Sequence, residues 1–195
     1  MSETRKIAAI LVSDVVGYSR LAGADEDRTL ARLRALRSDL IDPVMSVHHG
    51  RVVKRTGDGS INEFRSVVDA VRCAIEVQNA MVERNAGLPP ERRIEFRVGI
   101  HLGDVVEESD GDLMGDGVNI AARLQGVCQP GAICLSEDAY RQVRAGLIWQ
   151  LPISARPSSR TSQTPSESTR SKSVSPPKPG PRSRRGPPRR EGARR

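Results

Sequence analysis

The sequence predicts an α+β fold in which helices cover one sheet. Apolar segments of strand length alternate along the chain with segments of helical periodicity, and a Gly-Asp-Gly turn at residues 57–59 joins two strand segments into a central hairpin. This alternation is typical of helices packed on a sheet and differs from the pattern of a helical bundle. The predicted order of elements is βαββαβ followed by αβα.

The first half of the chain contributes a strand, a helix and the hairpin. Lys6–Ser13 is a mostly apolar run, which predicts a buried central strand. Acidic residues followed by regularly spaced leucines predict one long amphipathic helix over residues 25–43. The hairpin strands are predicted at Arg51–Thr56 and Ser60–Phe64, with Asp58 at the tip.

The second half of the chain continues the alternation. Its predicted elements are a helix at Val67–Met81, a strand at Ile94–Leu102, a helix at Val118–Val127, a strand at Ala132–Leu135 and a helix capped by Ser136. The segment Gly103–Gly117 is predicted as a loop.

Charge and composition divide the chain into two regions. Residues 151–195 hold 12 of the 31 Lys and Arg residues and 2 of the 24 Asp and Glu residues, so the tail is near +10 and the first 150 residues are near −3. The tail is rich in Ser, Pro and Arg and lacks apolar periodicity. We therefore predict a folded domain over residues 1–147 and a basic, disordered tail over residues 148–195.

Composition also argues against several classes of protein. The three cysteines have neither the CxxC spacing of a zinc site nor the even number of a secreted disulfide framework, so we expect reduced thiols. The first apolar run, Ile7–Val12, is too short for a membrane span or a signal peptide. The basic tail has no aromatic residue after Trp149 on which bases could stack. We expect a cytoplasmic protein with no transmembrane segment and no specific nucleic-acid partner.

Two aspartates stand where a metal site could form. Asp14 follows the first strand, and Asp58 lies in a hairpin whose strands could flank that strand in a compact sheet. Carboxylate oxygens beside a phosphate site suit Mg²⁺ or Mn²⁺. The alternative for each aspartate is a structural role in a turn or cap. A Gly-containing turn weakens that alternative because its backbone amides can bind phosphate oxygens. Its residues are Val15, Val16, Gly17, Tyr18 and Ser19.

The stretch Gly111–Arg123, GDLMGDGVNIAAR, predicts a nucleotide site. A Gly-rich acidic loop runs into a helix on which Asn119 and Arg123 point to the same side, because they are four residues apart. An amide and a guanidinium together suit a phosphate chain and the sugar beside it. A calcium loop is the other interpretation of the acidic stretch, but Ala121 stands at the twelfth position, where a bidentate Glu is required.

Four motifs follow one another along the chain. They are SDVVGYS at Ser13–Ser19, VVKRTGDG at Val52–Gly59, RVGIHLGDV at Arg97–Val105 and GDLMGDGVNIAAR. In this order they resemble the catalytic domain of class III nucleotidyl cyclases, in the form common in bacterial adenylate cyclases. The resemblance covers roughly the first 147 residues. It implies a ferredoxin-like βαββαβ core with the additional αβα segment. It also implies that the family's final strand pair is missing, because nothing after Leu147 resembles it.

The resemblance implies a metal site with two Mg²⁺ or Mn²⁺ ions. Asp14 and Asp58 match the two metal-binding aspartates of the family, and Val15 matches the position whose backbone carbonyl joins them. Val16, Gly17, Tyr18 and Ser19 follow directly, in the turn whose backbone amides we expect to bind phosphate oxygens.

The resemblance also implies residues that bind the nucleotide. Lys54 and Asp112 match an adenine-selective pair, in which the lysine donates to a ring nitrogen and the carboxylate accepts from the exocyclic amine. Asn119 matches the residue that orients the ribose. Arg123 matches the residue that stabilises charge on the α-phosphate.

The implied reaction is attack of the ribose 3′-hydroxyl of ATP on the α-phosphorus, which yields cyclic AMP and pyrophosphate. The family's site forms across a homodimer, with the metal carboxylates of one chain facing the purine and ribose residues of the other. The missing strand pair typically contains a lysine that holds the terminal phosphates. The alternative is therefore a catalytically impaired domain that dimerises or senses nucleotide.

Overall fold

A computed structural model of the protein describes residues 4–150 and 172–174. Its strands, which in this part of the chain form one seven-stranded sheet, are β1 (Thr4–Val15), β2 (Arg51–Thr56), β3 (Gly59–Phe64), β4 (Phe96–Glu107), β5 (Leu113–Met114), β6 (Ile133–Leu135) and β7 (Lys172–Val174). Its α-helices are α1 (Tyr18–Ala24), α2 (Glu26–Leu36), α3 (Asp42–Val47), α4 (Val67–Arg84), α5 (Asp116–Val127) and α6 (Glu137–Gln150).

The centre of the sheet has the predicted βαββαβ connectivity. Its four strands lie in the order β2-β3-β1-β4, and each neighbouring pair among them is antiparallel. The chain then adds α5, β6 and α6, with β6 parallel to β4. The predicted fold class is therefore confirmed: an α+β fold with a ferredoxin-like core and an additional αβα segment.

Both faces of β1 are buried, because successive residues of a strand point to opposite sides of the sheet. Ala9, Leu11 and Val15 belong to the larger core, which includes residues of α2, α3, α4 and α6. Ala8 and Ile10 belong to a smaller core on the other face, beneath α5. Burial on both faces explains why this strand is a nearly continuous apolar run in the sequence.

Helix α5 packs closely against the sheet at Gly99 of β4. A Cβ atom at this position would overlap the carbonyl oxygen of Ala121 and the backbone nitrogen of Gln125. Only glycine leaves the space that the helix backbone occupies. The contact therefore sets how closely α5 packs on the sheet.

The long helix predicted over residues 25–43 is interrupted and longer than expected. It starts as α2 after Asp25, whose side chain accepts a hydrogen bond from the amide of Arg28. Residues Arg37–Ile41 then form a π-helical turn, and α3 continues to Val47. The prediction that the helix stops at Pro43 is wrong. This proline lies in the first turn of α3, where a helix tolerates the missing amide donor, and the π-helical turn before it has already interrupted the α-helical hydrogen bonds.

The segment predicted as a loop, Gly103–Gly117, contains strand structure. β4 continues through Glu107, and β5 pairs with its end. Between them the amide of Gly111 donates to the carbonyl of Glu108 over 2.9 Å, and the amide of Glu108 donates to the carbonyl of Asp112 over 3.0 Å. Residues 108–112 therefore form a hydrogen-bonded turn at the end of β4.

The region predicted as a disordered tail contains two described elements. Helix α6 extends to Gln150, and Lys172–Val174 forms β7, which is antiparallel to β6. A strand edge offers unpaired backbone groups, and a segment without proline can pair with them even when its sequence has no apolar periodicity. The rest of the predicted tail, and any counterpart of the family's final strand pair there, lie outside the described residues.

Replacing Gly99 by alanine is expected to lower the free energy of unfolding by about 1–3 kcal/mol, because the added methyl group overlaps the backbone of α5. Gly126→Ala is the matched control. Gly126 lies on the same helix, and a Cβ atom there meets nothing within 4 Å. Alanine should therefore be neutral or stabilise by up to about 1 kcal/mol. Denaturant unfolding measures both variants. An unchanged stability of Gly99→Ala would contradict the close packing of α5 at this position.

Candidate functional site

Asp14 lies near the end of β1, opposite Arg97 of β4. The guanidinium of Arg97 donates to both carboxylate oxygens, from Nε over 3.1 Å and from Nη2 over 2.7 Å. These hydrogen bonds raise the pKa of Arg97. About a quarter of each side chain is exposed, 26% for Asp14 and 29% for Arg97. Both oxygens of Asp14 therefore already have a cationic partner.

Asp58 lies at the tip of the β2–β3 hairpin, beside the end of β1. A Cβ atom on its neighbour Gly59 would overlap the carbonyl oxygen of Ser13 and would lie 3.4 Å from the Cα atom of Asp14. The glycine thus lets the hairpin pack directly against the backbone that carries Asp14. Within the described residues the Asp58 carboxylate makes no hydrogen bond or ion pair. Its charge adds to the larger effect of Asp14 in raising the pKa of Arg97.

The carboxylates of Asp14 and Asp58 and the carbonyl of Val15 form the candidate metal-binding set. The side chain of Val15 is buried in the larger core, while its backbone lies at the end of β1 next to the hairpin. All three donors are hard oxygens, which fit an ion that shares its coordination shell with water and phosphate. Over residues 4–150 and 172–174 no group of three or more His, Cys, Asp or Glu side chains could hold a metal ion.

The turn after β1 offers fewer amides than the sequence predicted. The amide of Val16 donates to the carbonyl of Glu95 over 2.8 Å, so it is not available to a phosphate group. Gly17 has a positive φ of 63° and precedes the first residue of α1. The amides of Gly17, Tyr18 and Ser19 have no hydrogen-bond partner in the described part of the chain.

Lys54 and Asp112 form a direct ion pair. The Nζ atom of Lys54 lies 2.7 Å from Oδ2 of Asp112. Their hydrogen bond raises the pKa of Lys54 and lowers the pKa of Asp112. The second oxygen of Asp112, Oδ1, accepts a hydrogen bond from the amide of Leu113 over 2.9 Å. A donor and an acceptor are thus held side by side at the surface of one chain.

Asn119 and Arg123 lie on the exposed side of α5. The opposite side of the helix packs against the sheet through buried residues such as Ala121 and Leu124. Within the described residues neither Asn119 nor Arg123 has a side-chain hydrogen bond or ion pair, and no such contact connects them to the two aspartates. Both side chains are therefore available to a ligand.

The larger clefts in the described part of the chain lie away from the candidate residues. A cleft of about 480 Å³ follows α4 and is lined by residues such as His48 and Glu76, which are not candidate site residues. The depression at Asp58 measures only about 10 Å³. A nucleotide bound by these residues alone would remain largely exposed.

Sequence analysis did not identify two arginines that contact candidate residues. Arg97 is the first residue of a motif, but its place beside Asp14 depends on the register between β1 and β4. Arg51 donates to the carbonyl of Gly111, next to Asp112, over 3.0 Å. That contact joins residues 60 positions apart, so no local pattern in the sequence indicates it.

Comparisons with known proteins agree on one family. The model of the adenylate and guanylate cyclase catalytic domain matches residues 1–156. The chain is 48% identical over 139 residues to a protein of Rhizobium meliloti (strain 1021) named "Putative adenylate cyclase 3", and the match covers 71% of this chain and 24% of that protein. It is 31% identical to "Adenylate cyclase" of Streptomyces coelicolor, with 69% of this chain and 33% of that protein covered.

A solved structure from Silicibacter pomeroyi, titled as an adenylate/guanylate cyclase/hydrolase, has the same fold. Its TM-score is 0.68 at 44% sequence identity, and the match covers 73% of this chain and 82% of that one. The chain spans about a quarter of the length of the Rhizobium protein.

We expect Arg97→Gln to bind Mn²⁺ about tenfold more tightly than the wild-type protein, because the substitution frees both oxygens of Asp14 and removes a positive charge from the site. Titration followed by electron paramagnetic resonance of free Mn²⁺ measures the affinity. Arg141→Gln is the matched control, since Arg141 is paired with Glu137 on α6 and its loss removes the same charge elsewhere. Unchanged or weaker binding by Arg97→Gln would contradict competition between Arg97 and the cation for Asp14.

Proposed function

The chain belongs to the adenylate and guanylate cyclase catalytic domain family, and from this premise we propose that it is an adenylate cyclase. The proposed reaction converts ATP to 3′,5′-cyclic AMP and pyrophosphate. The relatives named adenylate cyclase support the choice of ATP over GTP. The observation that carries this choice is the ion pair between Lys54 and Asp112, which we propose presents its carboxylate to position 6 of the base and its ammonium to position 1.

The Lys54–Asp112 pair matches the hydrogen-bonding edge of adenine. Adenine has an amine donor at position 6 and a ring acceptor at position 1, whereas guanine has an acceptor and a donor at these positions. A carboxylate facing position 6 and an ammonium facing position 1 therefore complement adenine and oppose guanine in the same orientation. The Lys54 ammonium has three donors, so one can remain on Asp112 while another binds the base.

Asn119 and Arg123 are the proposed catalytic residues on α5. The Asn119 amide can hydrogen-bond the ribose and orient its 3′-hydroxyl towards the α-phosphorus. The Arg123 guanidinium can neutralise the negative charge that develops on the α-phosphate oxygens as the bond forms. Both side chains lack a competing partner within the described residues, so binding them breaks no ion pair.

Asp14, Val15 and Asp58 are the proposed ligands of two Mg²⁺ or Mn²⁺ ions. Bound there, the ions would make the 3′-hydroxyl more acidic and neutralise the triphosphate. The two carboxylates supply the negative charge that holds the cations, and the free amides of Gly17 and the next two residues can bind phosphate oxygens.

We propose that the active site forms between two copies of the chain. Within one chain the described residues show no side-chain hydrogen bond or ion pair between the aspartates and the α5 residues, and the larger clefts there are lined by neither group. A two-fold dimer would bring the aspartates of each protomer to the α5 residues of the other and would enclose two equivalent sites. The partner in this proposal is a second copy of this chain.

The proposed location is the cytoplasm, where ATP is abundant. All three cysteines are buried free thiols, as is usual in a reducing compartment. No helix within the described ranges is both long and apolar enough to cross a membrane.

A second candidate function is a catalytically impaired, cyclase-like domain that dimerises or senses nucleotide. The two hydrogen bonds from Arg97 to the carboxylate of Asp14 favour this second function, because the arginine occupies oxygens that a metal ion would need. In this case the nucleotide would bind through the residues of α5 and the Lys54–Asp112 pair, and no product would form.

Cyclic AMP formation from ATP with Mn²⁺ or Mg²⁺ tests the proposed function directly. We expect metal-dependent product from the wild-type chain and a loss of at least about a hundredfold in Asp58→Ala, because this variant lacks a metal ligand. Asp69→Ala, at the start of α4, is the control that removes a carboxylate away from the site. A folded wild-type dimer that binds ATP but yields no cyclic AMP would support the second candidate.

Mixing two inactive variants tests the shared site. Asp58→Ala and Arg123→Ala should each be inactive alone, because each homodimer contains only defective sites. In an equimolar mixture that exchanges subunits, about a quarter of wild-type activity should return, since half of the dimers are mixed and each has one intact site. The product is measured as cyclic AMP. If the mixture of folded, exchanging variants remains inactive, the shared-site proposal is wrong.

A further inference from the structure

Arg51 is the first residue of β2 and donates in three directions. Its Nε atom donates to Glu63 over 3.0 Å, its Nη2 atom donates to Glu107 over 2.9 Å, and its Nη1 atom donates to the carbonyl of Gly111 over 3.0 Å. These partners lie on β3, at the end of β4, and in the turn after β4. One guanidinium therefore connects the hairpin to the turn that precedes Asp112.

The two glutamates do not depend on Arg51 alone for their charge balance. The Nζ atom of Lys6 lies 2.6 Å from Glu63 and 2.7 Å from Glu107. The side chain of Glu63 is only 13% exposed, and its hydrogen bonds to Lys6 and Arg51 lower its pKa although burial opposes this effect. Of the two cations, only Arg51 also reaches the backbone of the turn.

The turn at residues 108–112 carries one half of the proposed adenine-reading pair. Gly111 has a positive φ of 85°, and Asp112 directly follows it. The amide of Asp112 donates to Asp110 over 3.0 Å, and its carboxylate contacts Lys54. Fixing the Gly111 carbonyl therefore fixes the peptide next to Asp112, and with it the position of the carboxylate relative to Lys54.

That position decides which purine the pair favours. A lysine donor and a carboxylate acceptor complement adenine in one arrangement, and they complement guanine when the two groups exchange places along the base edge. The chemical identity of the pair alone thus leaves the choice of purine open. Selectivity requires that the pair cannot shift.

We propose that Arg51 is a positioning residue for purine selectivity, which acts by holding the Gly111 carbonyl so that Asp112 faces position 6 of the base. This inference rests on the proposed function, because it concerns the same nucleotide site. Arg51 itself does not touch the nucleotide. Its loss should reduce the preference for adenine more than it reduces binding of the triphosphate.

The test is the ratio of affinities for 3′-deoxy-ATP and 3′-deoxy-GTP, measured by calorimetry with Mn²⁺ on the full chain. Neither nucleotide can be cyclised, because each lacks the attacking hydroxyl, so the measurement does not require catalysis. Arg51→Lys keeps the charge but loses the planar guanidinium, whose separate nitrogens bind Glu63, Glu107 and the Gly111 carbonyl at once. We expect the preference for the adenine nucleotide to fall about tenfold in this variant.

Arg55→Lys is the matched control. Arg55 lies on the same strand, and its guanidinium contacts both oxygens of Asp42 on α3 rather than the turn. Its side chain is 38% exposed, close to the 43% of Arg51. We expect the selectivity of this control to equal that of the wild type. Hydrogen exchange of the Gly111 and Asp112 amides should accelerate in Arg51→Lys and not in Arg55→Lys.

Several outcomes would overturn the proposal. The first is a folded Arg51→Lys variant whose ratio of affinities for the two nucleotides equals that of the wild type. The second is an equal loss of adenine preference in Arg55→Lys, and the third is a wild-type chain that does not prefer the adenine nucleotide. Arg51→Gln, which retains a shorter hydrogen-bond donor, is the second variant. If both Arg51 variants unfold, Arg51 stabilises the whole domain and the proposed role in selectivity is wrong. Selective binding without cyclic AMP formation would overturn the proposed enzyme activity and leave the role of Arg51 intact.

Discussion

The antiparallel pairing of β1 with β4 is the constraint on which the site depends. The two strands pair in register over their whole length, from Thr4 opposite Glu107 to Val15 opposite Phe96. Near one end this register sets Arg97 against Asp14, and two residues further along β4 Gly99 faces α5. A shift of this register by one residue would place Asp14 and Arg97 on opposite faces of the sheet and break their contact.

Several charged residues of the site are already paired before any ligand binds. Asp14 contacts Arg97, Lys54 contacts Asp112, and Arg51 contacts two glutamates. A cation that binds Asp14 must therefore displace Arg97, and a purine must fit beside the existing contact between Lys54 and Asp112. The binding energy is then the difference between new and existing contacts. Asp58, Asn119 and Arg123 are the exceptions within the described residues, because none of the three has a side-chain hydrogen bond or ion pair to lose. In this arrangement binding strength depends on the protein's own ion pairs as much as on the ligand.

Local patterns in the sequence predicted most elements because each pattern reflects burial on a regular repeat. The apolar run of β1, the hairpin around Asp58 and the helix α4 all follow from spacing within a few residues. The π-helical turn before Pro43, the short strand β5 and the pairing of β7 with β6 were not predicted. β5 and β7 are short and pair with strands that are distant in sequence, and the π-helical turn differs from an α-helix only in the spacing of its backbone hydrogen bonds. None of the three therefore has a periodic signal of its own.

The sequence by itself determined the βαββαβ connectivity, the family and the residue types from which a nucleotide site could be built. Spacing four residues apart put Asn119 and Arg123 on one side of a helix without any knowledge of the fold. Only the tertiary structure decided that Arg97 holds Asp14 and that Arg51 holds the turn before Asp112. It also removed the Val16 amide from the set available to phosphate. The physical reason is that strand register and hydrogen bonding join residues tens of positions apart, and local periodicity contains no information about such pairs.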